Sequence, residues 1–431
     1  MESPDPKTVR RNIRYGVLNG MLFTFGEALN NGSLVLGLLI RQLGGSLGMV
    51  GLIPALQSGG WLLPQMLVGG RLQALPYKLP LYHRSAMVRI VAYSLMTLCI
   101  FGANWLPSSV VVAAILLCYT VYNVGGGTSA LAFQDVVAKV VPLQQRGRFF
   151  GRRQLFGGLL AFAIAGPLAS WMMSDAAPLP FPYNYGVLSL ASLIVVATGL
   201  LIFSLVKEPP QTKVGPMVGF WASLRKAPTI LRANKPYRTF IAARLLLRAG
   251  QIGEPFYIIY ATEVLHVSVG MAGAYVGVRA ISGALSNIYW GRVSDRQGNK
   301  RLMFLTGILI VATPFIALIG PWLVGLIGLS TTWVGLMMAV VYMLVGLSLD
   351  GSNIAGLTYL MEIVPENERP SYIGLANTLL GVVTLLPVIG GQIVHYLGYY
   401  GLFIIGFLFA LVGLFMVLQL PERQRNSSPA A

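Results

Sequence analysis

Six ionisable side chains stand inside long apolar stretches of this 431-residue chain: Glu27, Glu254 and Asp350 against Arg244, Arg248 and Arg279. Charge in apolar surroundings is costly, so each calls for a reason. Three are open. A carboxylate whose exposure alternates can bind and release a proton, and Glu27 and Asp350 are the candidates. The carboxylates can instead form fixed ion pairs with Arg248 or Arg279 that only hold elements together. The charged groups can also contact a bound solute directly. Polar neighbours accompany them. Glu27, Asn30 and Asn31 fall at i, i+3 and i+4, one face of a helix. Arg248, Gln251 and Glu254 form a second cluster, Asp350 and Asn353 share a third face, and Asn123 precedes Gly125-Gly126-Gly127. Arg244 is expected to snorkel to a membrane face.

The elements that must position these residues follow from composition. Hydrophobic residues make up 55% of the chain and charged residues only 10%, against about 25% charged in an average soluble domain. That balance argues against a cytosolic enzyme and excludes disorder. A membrane-spanning helix needs about 20 mostly apolar residues. Segments free of Asp, Glu, Lys and Arg run over 42–70, 90–134, 154–174, 176–206, 302–349 and 370–421. Three of them are long enough for two spans each, with breaks expected at Asn104–Pro107, Gly320-Pro321 and Gly398-Tyr399. Charge-bearing apolar segments at roughly 15–38, 238–261 and 270–291 complete a reading of twelve helices.

The net charge of +17 then acquires a meaning other than nucleic-acid binding. With the N-terminus in the cytoplasm and the loops alternating, 27 of the 31 Lys and Arg residues fall on the cytoplasmic side, as the resistance of positive residues to translocation requires. The cations assigned to the loop between the second and third helices include Arg89. Met1–Arg14 is polar and basic, and no cleaved signal peptide is expected. Cys99 and Cys118 are read as free packing residues, and two Cys with three His form no metal-ligand cluster.

The chain also repeats itself. Val141-Pro142, Arg146 and Gly151 align with Val364-Pro365, Arg369 and Gly374 at a constant offset of 223 residues. The basic, proline-bearing segment 207–236 lies between two sets of six predicted helices, so the expected organisation is a bundle over 1–206, a cytoplasmic linker over 207–236 and a bundle over 237–431. The same offset brings Gln251 and Glu254 to the depth of Ala28 and Asn31.

Between the eighth and ninth helices stands Gly291-Arg292-Val293-Ser294-Asp295-Arg296-Gln297-Gly298-Asn299-Lys300-Arg301. With the 6+6 repeat and the basic middle loop, this segment resembles the G-x-x-x-D-R-x-G-x-[KR]-[KR] signature of the major facilitator superfamily. The equivalent first-half loop keeps Gly70-Arg71 and lacks Asp-Arg, so the first-half gate is expected to be weaker or built differently. The resemblance implies an all-α integral membrane fold in which the first, fourth, seventh and tenth helices line a central cavity, where the polar clusters fall. It implies a cytoplasmic gate of Gly291, Asp295, Arg296, Gly298, Arg301, Arg146 and Arg369. In that gate Gly291 allows close helix approach, Asp295 faces the fifth helix near Arg152 and Arg153, Arg296 and Arg301 pair with Glu362, and Arg146 pairs with Asp135. It places Arg279 on a flanking helix, where a structural pair is expected. Gly166-Pro167 and Pro387…Gly390-Gly391 resemble parts of an antiporter motif; small residues for close packing and a Pro kink account for them equally well.

The expectation is therefore a secondary active transporter of a small solute by alternating access, with proton coupling, antiport or efflux slightly favoured over import, and no cofactor. No phosphate-binding G-x-x-x-x-G-K-[ST] run is present. The alternatives are a transporter-like scaffold or sensor without turnover and a facilitative uniporter. Expected partners are the solute, protons and the bilayer of the plasma (inner) membrane. No nucleic acid is expected, and the chain is expected to be a monomer with both termini cytoplasmic.

Overall fold

A computed structural model describes residues 6–73, 75–142, 145–210, 231–232, 234–328, 330–364 and 369–421. Most of the 207–236 linker, Pro365–Glu368 and the extreme C-terminus lie outside the described residues. The fold is all-helical. Its elements are α1 (Pro6–Gln42), α2 (Leu47–Gln73), α3 (Leu79–Phe101), α4 (Ser108–Val140), α5 (Arg146–Met172), α6 (Tyr183–Ser204), α7 (235–263), α8 (Met271–Gln297), α9 (Asn299–Leu326), α10 (Thr331–Ile363), α11 (Arg369–Val383) and α12 (Leu386–Leu418). Eight helical stretches among the described residues are long and apolar enough to cross a membrane. Large apolar side chains face outward from them, among them Leu98, Leu117, Ile194, Leu326 and Phe415, as a lipid-facing surface requires.

The 223-residue offset read from two loops recurs in the helix boundaries. Ser108–Val140 maps onto Thr331–Ile363, and Arg146–Leu160 maps onto Arg369–Val383. The irregularities repeat as well. In α1 the α-helix stops at Leu29 and resumes at Gly37 after a π-turn over Gly32–Leu36. In α7 it stops at Ala249, passes through a 3₁₀ stretch over Gly250–Phe256 and resumes at Tyr257. Pro255 inside that stretch supplies no N–H to the ladder. Likewise α5 contains a π-turn at Ala161–Ala165, and α11 ends where Thr384 would correspond to Ala161.

Two expected boundaries move. The break near Gly320-Pro321 is absent; α9 runs through Pro314 and Pro321, and the chain turns after Leu326. Proline inside an apolar bundle is tolerated because neighbouring helices satisfy the freed backbone groups. The start of α3 lies at Leu79, ahead of the charge-free window, because Pro80 fits the first turn of a helix. Its N-terminus is held by Glu208, which accepts from the Lys78 and Leu79 backbone N–H groups at 2.9 and 2.8 Å and from Lys139 Nζ at 2.6 Å, a carboxylate placed where the helix dipole favours it. The expected break at Gly398 is present, with φ +69° inside α12.

One buried apolar core runs through α1–α6 and continues into Ile252–Ala261, Tyr275 and Tyr342. A second, built from Tyr237, Phe240, Tyr359, Tyr372 and Val417 among others, is confined to α7–α12. The two sets of helices are joined toward the end of the bundle away from Pro6, here called the distal end. Small residues make that seam. A Cβ on Gly273 of α8 would meet the backbone of Ser170 in α5, one on Gly391 of α12 the backbone of Gly48 in α2, and one on Gly51 the backbone of Pro387. Arg41 at the end of α1 completes it with an ion pair to Glu263 at the end of α7, at 2.5 Å. Because the seam has no room for a methyl group, Gly273→Val and Gly391→Val each lower the thermal midpoint of the purified protein, by the equivalent of about 1–3 kcal/mol. Gly147→Ala, at a position with open space around it, serves as the neutral comparison in the same melt.

Candidate functional site

Between the two sets of helices lies a cavity of about 510 Å³, within the range that holds small-molecule ligands. From α1 and α2 come Phe23, Glu27, Ser33, Pro54, Gln57, Ser58, Trp61 and Leu62; α3 and α4 add Arg89 and Asn123. The facing wall carries Arg244, Arg248, Gln251 and Glu254 of α7, Arg279 of α8, and Leu349, Ser352 and Asn353 of α10, with Asn377 and Leu380 from α11.

The charges are placed by the irregular backbone. Glu27 lies in the last turn of the first part of α1, and Tyr122 of α4 donates its hydroxyl to the carboxylate. Asn123 also lines the cavity, but its Nδ2 donates back to the Tyr119 carbonyl at 2.8 Å. On α7, Arg248 donates to the Gln251 side-chain carbonyl at 2.7 Å. Glu254, in the 3₁₀ stretch, forms an ion pair with Arg279 of α8 at 2.9 Å. Asn353 reaches the cavity.

Several expected placements change. Glu27, Asn30 and Asn31 do not share the cavity face. Asn30 is buried within α1–α6, donating to Tyr93 Oη at 3.0 Å and Ser189 Oγ at 3.4 Å. Asn31 leaves helical geometry (φ −58°, ψ 127°), and its side chain accepts from Leu34 N–H at 3.0 Å, capping the π-turn. Asp350 turns from the cavity toward α8, where Asn287 donates to it at 3.0 Å beside Gly283. Arg244 does not snorkel; it lines the cavity with its guanidinium lying against Gly356 of α10 and 5.8 Å from the Phe240 ring centroid.

Arg89 is the residue that the sequence reading misassigned. It is no loop cation but sits near the middle of α3, 2% exposed. Its guanidinium carbon lies 4.3 Å from the Tyr122 ring centroid and 5.1 Å from that of Phe23, a cation–π setting for a charge without water. Its Nε is buried without a hydrogen-bond partner. Pro80 is the signal that would have extended the helix past it. Trp61, Gln57 and Asn377 were also passed over; polar and aromatic residues in an uninterrupted apolar window carry no mark of which face they occupy.

The residues of the expected gate are not among those lining the cavity; Gly291 to Arg301 lie at the end of α8 and the start of α9, Arg146 at the start of α5 and Arg369 at the start of α11. Gly298 has φ +88° where one helix turns into the next, a conformation that favours glycine. Gly291 has open space around it rather than a neighbouring helix. Glu362 accepts from Asn299 Nδ2 at 2.7 Å rather than from an arginine, while Arg296 and Arg301 are exposed. Arg146 donates to the carbonyls of Ala138 and Val141 at 2.6 and 3.2 Å rather than to Asp135, because the end of α4 leaves carbonyls that need donors. Arg153 turns into its own bundle, donating to the Gly16 carbonyl at 2.6 Å and stacking 4.4 Å from the Phe133 ring centroid. Arg369 begins α11, and its side chain lies outside the described residues.

Arg279 and Glu254 depend on each other. Arg279→Gln leaves Glu254 in the cavity without its counter-charge, and a loss of about 1–3 kcal/mol is expected. Glu254→Gln alone leaves Arg279 without its partner in the same way, and the double variant Arg279→Gln with Glu254→Gln recovers most of the loss. A melt in which the double variant loses the sum of the two single losses would show that the two residues act independently.

Comparison with known proteins agrees with this architecture. Residues 250–431 match the family model described as Major Facilitator Superfamily. No curated protein matches in sequence. Among solved structures, a bacterial homologue of the iron transporter ferroportin in an inward-facing state superposes with a TM-score of 0.71 at 14% identity, covering 95% of this chain and 98% of the other. A point mutant of the nucleoside transporter NupG gives 0.69 at 14% identity, covering 96% and 100%. A D-xylose-proton symporter gives 0.63 at 15%, covering 96% and 98%. Residues 250–431 thus match the Major Facilitator Superfamily model in sequence, and along nearly its whole length the chain shares the fold of these solved transporters.

Proposed function

We propose that the chain is a secondary transporter that carries a small solute across the membrane by alternating access, with twelve membrane crossings arranged as two six-helix bundles over 1–206 and 237–431. The observation that carries the reading is a charged cavity between the bundles, closed off on its distal side by a seam of glycines and one exposed ion pair. Such a seam is suited to opening. It is held by close backbone packing and by Arg41–Glu263, whose side chains are each 36% exposed, and an ion pair that exposed contributes little. Paired repeats with discontinuous helices flanking a midplane site are the usual build of such carriers.

With the distal end closed, this is the state in which the cavity communicates with the side that carries the termini. The distribution of Lys and Arg supports reading that side as the cytoplasm. Asp295, Arg296 and Arg301, with Arg146 and Arg369, act on the opposite closure, when the two cytoplasmic ends come together.

Glu27 is the candidate proton carrier. It faces the cavity, it has a neutral hydrogen-bond donor in Tyr122, and it lies beside rather than on Arg89. Asp350, bonded to Asn287 outside the cavity, has a structural role.

The reading is tested by distances. Spin labels at Ser109 and Thr332, at the distal starts of α4 and α10, report one end; labels at Arg148 and Gln297 report the other. In lipid vesicles the two distances are expected to change in opposite senses across two populations. Glu263→Gln, which removes the partner of Arg41, is expected to raise the population with the distal pair far apart. A single population at both pairs under every condition, unmoved by Glu263→Gln, would count against transport and favour a fixed scaffold. For the proton, the solute selected by a stabilisation screen is followed into vesicles with and without a pH gradient. Glu27→Gln is expected to abolish the response to the gradient while keeping solute exchange.

A further inference from the structure

The charge lining the cavity does not balance. Glu27 and Glu254 face Arg89, Arg244, Arg248 and Arg279, an excess of two positive charges when all are ionised. Glu254 neutralises Arg279, and Glu27 stands across Tyr122 from Arg89. The remainder is the pair on α7. Arg244 and Arg248 are one helical turn apart on one face, where like charges repel. Among the described residues no carboxylate lies within 4.0 Å of either. The bond Arg248 makes is to the neutral Gln251, and Arg244 rests on Phe240 and Gly356.

A surplus of this kind inside a membrane protein is unfavourable unless something arrives to offset it. Two guanidinium groups one helical turn apart, both lining the cavity, have the donor geometry that matches the oxygens of a carboxylate or a phosphate. Ser352, Asn353 and Asn377 add neutral hydrogen-bonding groups near them. The facing wall mixes polar groups with an aromatic and apolar set, Phe23, Pro54, Trp61 and Leu62. An inorganic anion would leave that wall unused.

We propose that the cavity takes an organic anion, with its carboxylate or phosphate on Arg244 and Arg248 and its apolar body against Trp61 and Phe23. Gly356 is part of the arrangement, because a side chain there would displace the guanidinium of Arg244 from α10. The proposal rests on the cavity being the solute path.

The test uses purified full-length protein and compounds sharing one ring system: 2-naphthoate, 2-naphthamide and 2-naphthamidine, which are anionic, neutral and cationic. Thermal stabilisation and equilibrium dialysis give the apparent Kd. Naphthoate is expected to bind at least tenfold more tightly than the amide, and the amidine more weakly still. 1-Naphthyl phosphate then separates a preference for phosphate from one for carboxylate. Arg244→Gln and Arg248→Gln are each expected to weaken naphthoate tenfold or more, Gly356→Ala to weaken it severalfold, and the Lys variants to fall between the Gln variants and the parent. Where a Gln variant does not fold, the rank order on the unsubstituted protein decides. Amide or amidine binding as tightly as naphthoate, no binding by any naphthyl compound, or Gln variants that bind as the parent does would overturn the proposal. The distance measurements above need no ligand, so alternation that persists alongside such a result removes the anion and leaves the transport reading standing.

Discussion

A guanidinium carried to hydrocarbon depth loses its water, and the interior of this protein is arranged around meeting that loss for four arginines. Each is met differently. Arg279 has the carboxylate of Glu254. Arg248 has the side-chain carbonyl of Gln251. Arg89 has the faces of Tyr122 and Phe23. Arg244 has Phe240 and the space left by Gly356. None of the four faces lipid; all border the cavity. This is the arrangement physics permits, because an ionised group inside a bilayer persists only against protein partners or a water-filled space.

The same constraint explains why the backbone is irregular where it is. Glu27 and Glu254 sit at or beside the points where α1 and α7 depart from α-helical geometry. An unbroken helix offers its side chains only a fixed sequence of directions. The π-turn of α1 and the 3₁₀ stretch of α7 alter that sequence; Asn30, just past the end of the α-helix at Leu29, serves the interior of its own bundle while Glu27, three residues earlier, serves the cavity. The glycine seam follows from the other side of the argument. Apolar side chains gain little by meeting one another rather than lipid, so helices in a bilayer associate through close backbone approach. A seam of glycines supplies that approach without interlocking side chains.

The repeat was the most legible feature. Four matched residues in two loops defined an offset that the boundaries of α4, α5, α10 and α11 reproduce. Repetition survives in sequence because the same helix lengths and turns are needed twice. The site was legible in part. Glu27, Arg248, Gln251, Glu254, Arg279, Asn123 and Asn353 reach the cavity, since polar groups in apolar helices have few other places to go. Arg89 was lost because a window bounded by charge treats every arginine as an edge, while the helix began ten residues earlier at Leu79. Asn30 and Asp350 were misplaced because spacing fixes which residues share a face and not which neighbour that face meets. The arginine pairs expected at the gate were replaced by Asn299–Glu362 and by backbone carbonyls at the end of α4. A spacing rule counts charges; it cannot count the orphan carbonyls competing for the same donors.

The two proposed roles, a proton on Glu27 and an anion on Arg244 and Arg248, are not independent, because both act on the charge of one cavity. Two unit charges about 10 Å apart interact by about 1.7 kcal/mol at an effective dielectric of about 20, more than tenfold in an equilibrium constant. An ionised Glu27 opposes an incoming anion, and a protonated one does not. By reciprocity, a bound anion raises the affinity of Glu27 for its proton by the same factor. Under those roles the anion and the proton occupy the cavity together and leave it together, so the coupling they produce is symport. Exchange of solute against proton follows where the two compete for one carboxylate, as a cationic solute would. The sign of the solute's charge and the direction of coupling are thus one question. Under the proposed roles the excess of arginine on α7 goes with joint movement rather than with antiport.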